Sequence, residues 1–289
     1  MPDRAPVVLM TGGSTGIGRA TAELLAASGF RVYVGMRASG NPDAPPAPAG
    51  CEPVELEVTS DDDVRRVVGM LAAQHPEGLF ALVNNAGIAP PGPLEMTDLD
   101  ELRRVLEVNT VAPLRLIQAC LPLLRRGRGR IVDMRSLNGK LAMPMGGTYS
   151  ASKFALEALS DTLRMELMPW RVPVTVIRPG QVRTPIFSKA HDAITARRQD
   201  IPPELVDGYG RFCDRAEMFN QRGAQSRTQP EAVARAVLRA LRARRPRLSY
   251  TVGADARWLN LARWTSLPRV LSWCMAAAMG LARRVKPRR

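Results

Sequence analysis

Short apolar runs alternate with longer segments of helical spacing along most of the chain. Val7–Thr11, Arg31–Met36, Pro53–Val58, Leu79–Val83, Arg130–Met134, Val174–Ile177 and Leu248–Val252 read as strands. Ile17–Ser28 places Ile17, Ala20, Leu24 and Ala27 on one helical face and stops at Gly29. Ser60 caps a second helix whose first turn carries Asp61, Asp62 and Asp63, where the partial positive charge of a helix start favours acids. The spacing predicts further helices over Glu101–Leu124, bent at Pro113, over Tyr149–Met168 and over Pro230–Arg242. The strands are too continuously apolar to have one wet face. This predicts an α/β fold, a doubly wound parallel sheet of about seven strands with helices on both faces. Residues 186–228 break the alternation. They are polar, rich in arginine and without clear period, as in a lid or a disordered excursion.

Three stretches carry candidate chemistry. Between the first strand and helix lies TGGSTGIG, with Gly12, Gly13, Gly16 and Gly18. Glycines there let the backbone turn sharply, and a helix start offers unpaired N–H groups to a pyrophosphate. The second strand ends in Met36 and Arg37 with no acid beside them. An acid there suits a ribose 2′-hydroxyl and an arginine a 2′-phosphate, so NADP(H) is expected over NAD(H), unless Arg37 only solvates its loop. Tyr149 and Lys153 are four apart on a predicted helix and share a face. A free phenol has a pKa of about 10. An ammonium at ~4 Å is worth at most about 4 kcal/mol to the phenolate, enough to bring it toward the range of a general acid–base.

The ordered set TGGSTGIG, the N84NAG87 run, Asn109 in EVNT, Ser136 thirteen residues before Tyr149, the YSASK box and Pro179-Gly180 with Thr184 resembles the short-chain dehydrogenase/reductase family, from Val7 to about Gly253. The resemblance implies a Rossmann-type fold in which Tyr149 is the acid–base, Ser136 polarises a carbonyl, Lys153 lowers the Tyr149 pKa and holds the nicotinamide ribose, and Asn109 supports a proton path. It further implies cofactor contacts from Gly12, Ser14, Thr15, Gly16, Ile17, Gly18, Glu57, Val58, Asn85, Ala86, Gly87, Pro179, Gly180, Val182 and Thr184. Glu57 stands where the family often has Asp, and Arg135 where a small residue is usual. The segment after Lys153 is most similar to the subgroup acting on steroids, retinoids and related lipophilic alcohols or ketones. Leu137, Leu141, Met143, Met145, Ile186 and Phe187 stand where a substrate wall would be, or simply pack the core or lid. The family's usual homodimer or homotetramer is expected.

Composition then narrows the setting. Of 289 residues, 45% are apolar and 24% charged, which excludes a wholly disordered chain. Cys51, Cys120, Cys213 and Cys274 have no C-x-x-C spacing, and His75 and His191 are the only histidines. A reduced intracellular protein without a metal is expected. The net charge is +14, yet from Arg239 onward there are 13 basic residues against the single acid Asp255. The expected catalytic domain therefore spans 1–253, and residues 254–289 form a basic amphipathic helical tail with Trp258, Trp264 and Trp273. Such a tail fits peripheral membrane contact, a cover over the substrate mouth or a subunit contact. Its longest apolar run, Val270–Ala282, is 13 residues, too short to span a bilayer. With no leader visible, a cytoplasmic location is expected, with membrane association as the alternative. No nucleic-acid-binding module accompanies the charge, so nucleic acid is not expected as a partner. A non-catalytic dinucleotide sensor and a membrane-surface scaffold are the other readings. The intact Ser136–Tyr149–Lys153 set argues against a sensor.

Overall fold

A computed structural model describes residues 5–37, 45–256 and 274–279. Seven strands, β1 (Val7–Thr11), β2 (Arg31–Met36), β3 (Glu52–Glu55), β4 (Ala81–Asn84), β5 (Arg130–Met134), β6 (Val174–Pro179) and β7 (Ser249–Val252), form one parallel sheet in the order β3-β2-β1-β4-β5-β6-β7. Successive side chains of a strand point to opposite faces. Val7 and Leu9 accordingly face one core and Val8 and Met10 the other. The first core is closed by α2 (Asp61–Gln74) and α4 (Ala112–Arg126), and the second by α1 (Gly16–Ala27) and α8 (Pro230–Arg242). The expected fold class is therefore the observed one. Ser60 caps α2 as its position predicts, accepting from the Asp63 N–H at 3.2 Å.

The chain runs outward from β1 to β3 and then returns to lay β4 on the other flank of β1. The carboxyl ends of β1 and β4 thus flank the switch point, where α/β sheets place their ligands. The loops that carry the glycines and the NAG run both leave the sheet there.

Two segments differ from expectation. The predicted helix 101–124 is two helices, α3 (Leu99–Leu106) and α4, joined by a π-helical turn over Glu107–Val111. The break comes before Pro113 rather than at it. Pro113 has no N–H to give the Asn109 carbonyl, so the regular ladder cannot run through this turn. Residues 186–228 are not irregular. They form α6 (Pro185–Gln199) and α7 (Val206–Ala224). Their period is hard to see because α6 fully buries only Ile194. The pair is held by a small cluster of Met145, Ile194, Phe212, Cys213, Ala216 and Met279. Residues 274–278 of the tail are helical, and Met279 packs on these lid helices. Trp258, Trp264, Trp273 and most of the expected tail lie outside the described residues. Among the described residues, no helix is long and apolar enough to cross a membrane.

Candidate active site

The glycine loop is held from the neighbouring strand. The Asn85 amide donates to the carbonyls of Thr11 (3.1 Å) and Gly12 (2.8 Å), while the Thr11 hydroxyl accepts from the N–H groups of Asn85 and Ala86. Asn85 therefore shapes the loop with its side chain. Gly12 has a φ of +66°, and a Cβ there would lie 2.8 Å from the Ala86 Cα. A Cβ on Gly18 would collide with the Gly12 carbonyl. Thr15, at the start of α1, makes no capping bond, and neither does Thr184 at the start of α6. The two helix starts approach each other, since a Cβ on Gly16 would lie 3.2 Å from Thr184 Cγ2. Two uncapped helix N-termini over a loop too tight for side chains fit the pyrophosphate of a dinucleotide. Ser14 and Ile17 lie in the same turn. Val182 is buried beneath Thr184, whose hydroxyl reaches the Val182 carbonyl at 3.3 Å.

At the β2 end, Arg37 is exposed and lines a cavity of about 300 Å³ with Met36, Ala47, Pro53, Val54 and Glu55. Glu55 carries no local sequence signal of a ligand contact. Its signal lies in the strand register, which pairs Met36 with Glu55. Glu57 turns instead to its own loop, accepting from the N–H and hydroxyl of Thr59 at 3.1 and 2.9 Å. The Val58 side chain packs into the core.

The catalytic candidates converge beyond β5. Lys153, on α5 (Gly147–Glu166), is buried, and its ammonium donates to the Met134 carbonyl at 3.2 Å. It lies 5.5 Å from the centre of the Tyr149 ring. Ser136 lies two residues beyond β5, at the start of a short 3-10 turn, and hydrogen-bonds Tyr149. Gly87 packs between the neighbours, because a Cβ there would lie 3.1 Å from Asn109 Oδ1 and 3.8 Å from Lys153 Nζ. The π-turn delivers Asn109, whose amide is consumed. It accepts from the Ile88 N–H and donates to the Ile88 carbonyl and to Ser152 Oγ. The Asn109 side chain thus locks α5 to the NAG loop.

The electrostatics depart from the simple expectation. Burial pushes the Tyr149 hydroxyl up to about 12, with the Ser136 bond pulling the other way. The expected lowering by Lys153 is not seen: burial dominates and the Ser136 bond is what opposes it. Lys153 is itself pushed down to about 8 by burial and by Arg135, against Asp133. Closing the site therefore moves the two groups in opposite directions, and the lysine is the one brought near neutral pH.

The substrate candidates separate. Leu137 and Met145 are buried, and Met145, at a φ of +64°, belongs to the lid cluster. Phe187 packs on Gly223 of α7. Met143 and Leu141 are partly exposed and Ile186 is exposed. Packing thus accounts for Met145 and Phe187, whereas Met143, Leu141 and Ile186 retain surface to offer a ligand.

A family model described as short chain dehydrogenase matches residues 6–195. Retinol dehydrogenase 5 of Mus musculus is 35% identical over 95% of this chain and 90% of its own length. The mitochondrial D-beta-hydroxybutyrate dehydrogenase of Mus musculus is 32% identical over 92% of this chain and 82% of its own. The crystal structure of a short-chain dehydrogenase from Streptomyces avermitilis superposes with a TM-score of 0.74 at 29% identity, covering 96% of this chain and 98% of that one.

Proposed function

This chain belongs to the short-chain dehydrogenase family, and on that premise we propose that it is an NADP(H)-dependent oxidoreductase interconverting a carbonyl and an alcohol on a lipophilic substrate. The observation that carries the reading is the meeting of Ser136, Tyr149 and Lys153 beside two uncapped helix starts. A bound nicotinamide dinucleotide supplies or accepts the hydride. Ser136 orients the carbonyl oxygen and Tyr149 gives that oxygen its proton or takes it back. Lys153, near neutrality, exchanges the proton with Tyr149 and binds the ribose. The core over 1–253 carries the chemistry, and 186–228 covers the substrate.

Arg37 supports NADP(H). A second reading, NAD(H), is favoured by Glu55, which lines the same cavity and would repel a 2′-phosphate while accepting ribose hydroxyls. The retinol dehydrogenase relative supports a lipophilic substrate, and the partly exposed Met143 and Leu141 suit one. Exposed Phe154 and Met165 on α5 are eleven residues apart, about three turns, and share a face that supports a homodimer or homotetramer. The tail remains our candidate for peripheral membrane contact in a cytoplasmic setting.

The test is a screen of NADPH and NADH consumption against lipophilic ketones and aldehydes and against small keto acids. Turnover of a lipophilic carbonyl with NADPH is expected. In Tyr149→Phe it should fall by ~10²–10⁴ while cofactor binding stays within about threefold. Retained turnover in that variant, or turnover of small keto acids alone, overturns the assignment.

A further inference from the structure

Arg135 follows β5 immediately and precedes Ser136, and its side chain is wholly buried. Its Nη1 is paired with Glu157 Oε2 at 2.5 Å, while its Nε and Nη2 find no acceptor among the described residues. Glu157 is one turn beyond Lys153 and two beyond Tyr149, so the three share a face of α5. That single carboxylate also serves Arg178 of β6 and Lys140, whose ammonium is 3.6 Å away. Burial pushes Glu157 up, yet Arg178 and Arg135 outweigh it and hold the carboxyl below its ordinary range. Asp133 of β5 is the second buried acid; its hydrogen bonds go to neutral partners, and its charge opposes both Arg135 and Lys153. It accepts from the Asn84 amide at 2.9 Å and from the Ser160 hydroxyl at 2.5 Å. Arg135, Arg178 and Lys140 thus all draw on Glu157, one turn beyond Lys153 on α5, and Asp133 is the other buried acid among the described residues near them.

We propose that Arg135 is a positioning residue whose under-neutralised, buried guanidinium casts a standing positive field on the Tyr149–Lys153 pair and so sets the pH at which that pair gives up a proton. The groups facing the pair are Asp133 and Arg135 at β5, Glu157 and the two members themselves on α5, Lys140 beyond Ser136, Arg178 on β6 and the neutral Asn109 of the π-turn. Arg135, Asp133 and Lys153 are buried, so the field of Arg135 on Lys153 is only weakly screened. Positive potential destabilises an ammonium and stabilises a phenolate, so it favours proton loss from either member. The sign of the effect is therefore the same whichever of the two titrates. This rests on the acid–base reading above, and it adds a residue that lies where the family usually has a small one.

The experiment uses the full chain without cofactor. The rate at which acetic anhydride acylates Lys153 is followed against pH by peptide mass spectrometry, which reports its ionisation without turnover. Arg135→Met should move the midpoint up by on the order of one pH unit. Arg135→Lys, which keeps the charge, should leave it in place. Glu157→Gln removes the opposing charge and should move it down, and it carries the test if Arg135→Met does not fold. The pH profile of alcohol oxidation should follow the same order. A midpoint unmoved in Arg135→Met, or moved up in Glu157→Gln, overturns the proposal. Its failure is separable from that of the acid–base reading, which is decided by turnover in Tyr149→Phe.

Discussion

The floor beneath α5 and the lid formed by α6 and α7 are held by opposite means. Under α5 the contacts are polar and buried. Asp133 ties β5 to Asn84 and Ser160, Thr110 donates to the Ser152 carbonyl at 2.9 Å, and Asn109 joins Ile88 to Ser152. Each lost partner there strands another buried group, at about 1–3 kcal/mol apiece. The lid rests instead on six buried residues and on pairs at its rim. These include Arg197 with Glu101 and Tyr209 with Glu95 at 2.7 Å, while Arg198 with Asp214 at 2.5 Å ties α6 to α7. Exposed pairs such as Tyr209 with Glu95 are worth about 0–1 kcal/mol each; Arg197 with Glu101 is part-buried. On the proposed reading, firmly bonded residues under α5 and a more weakly held α6–α7 pair would suit an enzyme that admits its substrate and then excludes water.

The contrast can be broken most strongly from below. Asp133→Ala leaves the Asn84 amide and Ser160 hydroxyl without their acceptor and deepens the excess of buried positive charge. We expect a loss of about 3–5 kcal/mol, read from the denaturant midpoint. If the loss were under ~1 kcal/mol, the floor would not be the firmly bonded element described.

The next effect is pH-dependent. Lys153 titrates near 8 when folded and 10.5 when free. Between these values the unfolded chain binds the extra proton, so this group makes stability rise with pH through that window. Below pH 8 the folded protein must keep a buried ammonium. Lys153→Met should therefore be the more stable protein there, by roughly 3 kcal/mol, with the advantage gone above pH 10.5. A constant difference across the range would assign the burial cost elsewhere.

The smallest effect belongs to the lid. Tyr209→Phe removes the bond to Glu95 and should lower global stability by no more than about 1 kcal/mol. Limited proteolysis should nonetheless speed up within 186–228, and KM should change more than kcat. Protection equal to wild type would show that the rim pairs do not hold the lid.

The legible parts of this molecule are those where local chemistry and global fold agree. Apolar runs alternating with helical spacing mark the strands most plainly where β1, β4, β5 and β6 are buried on both faces, whereas β3, at the sheet edge, is half exposed. The glycine loop and Tyr149–Lys153 spacing were readable because phosphate cradles and helix faces restrict residue types over a few positions. What escaped depends on contacts distant in sequence. The lid helices show little period because most of α6 faces solvent or its partner. Glu55 joins Arg37 only through the register of β2 and β3, and Arg135 acquires meaning only when Glu157, Arg178 and Lys140 gather round it. The opposing movements of Tyr149 and Lys153 likewise come from enclosure, which spacing does not report.

The π-helical turn over Glu107–Val111 makes chain length itself a specification. It carries one residue of slack in an otherwise continuous rod. Removing one position would take up that slack and swing everything before it by about 100° relative to α4. Asn109 would then turn away from Ile88 and Ser152. A single deletion at this joint should be more damaging than most substitutions along it.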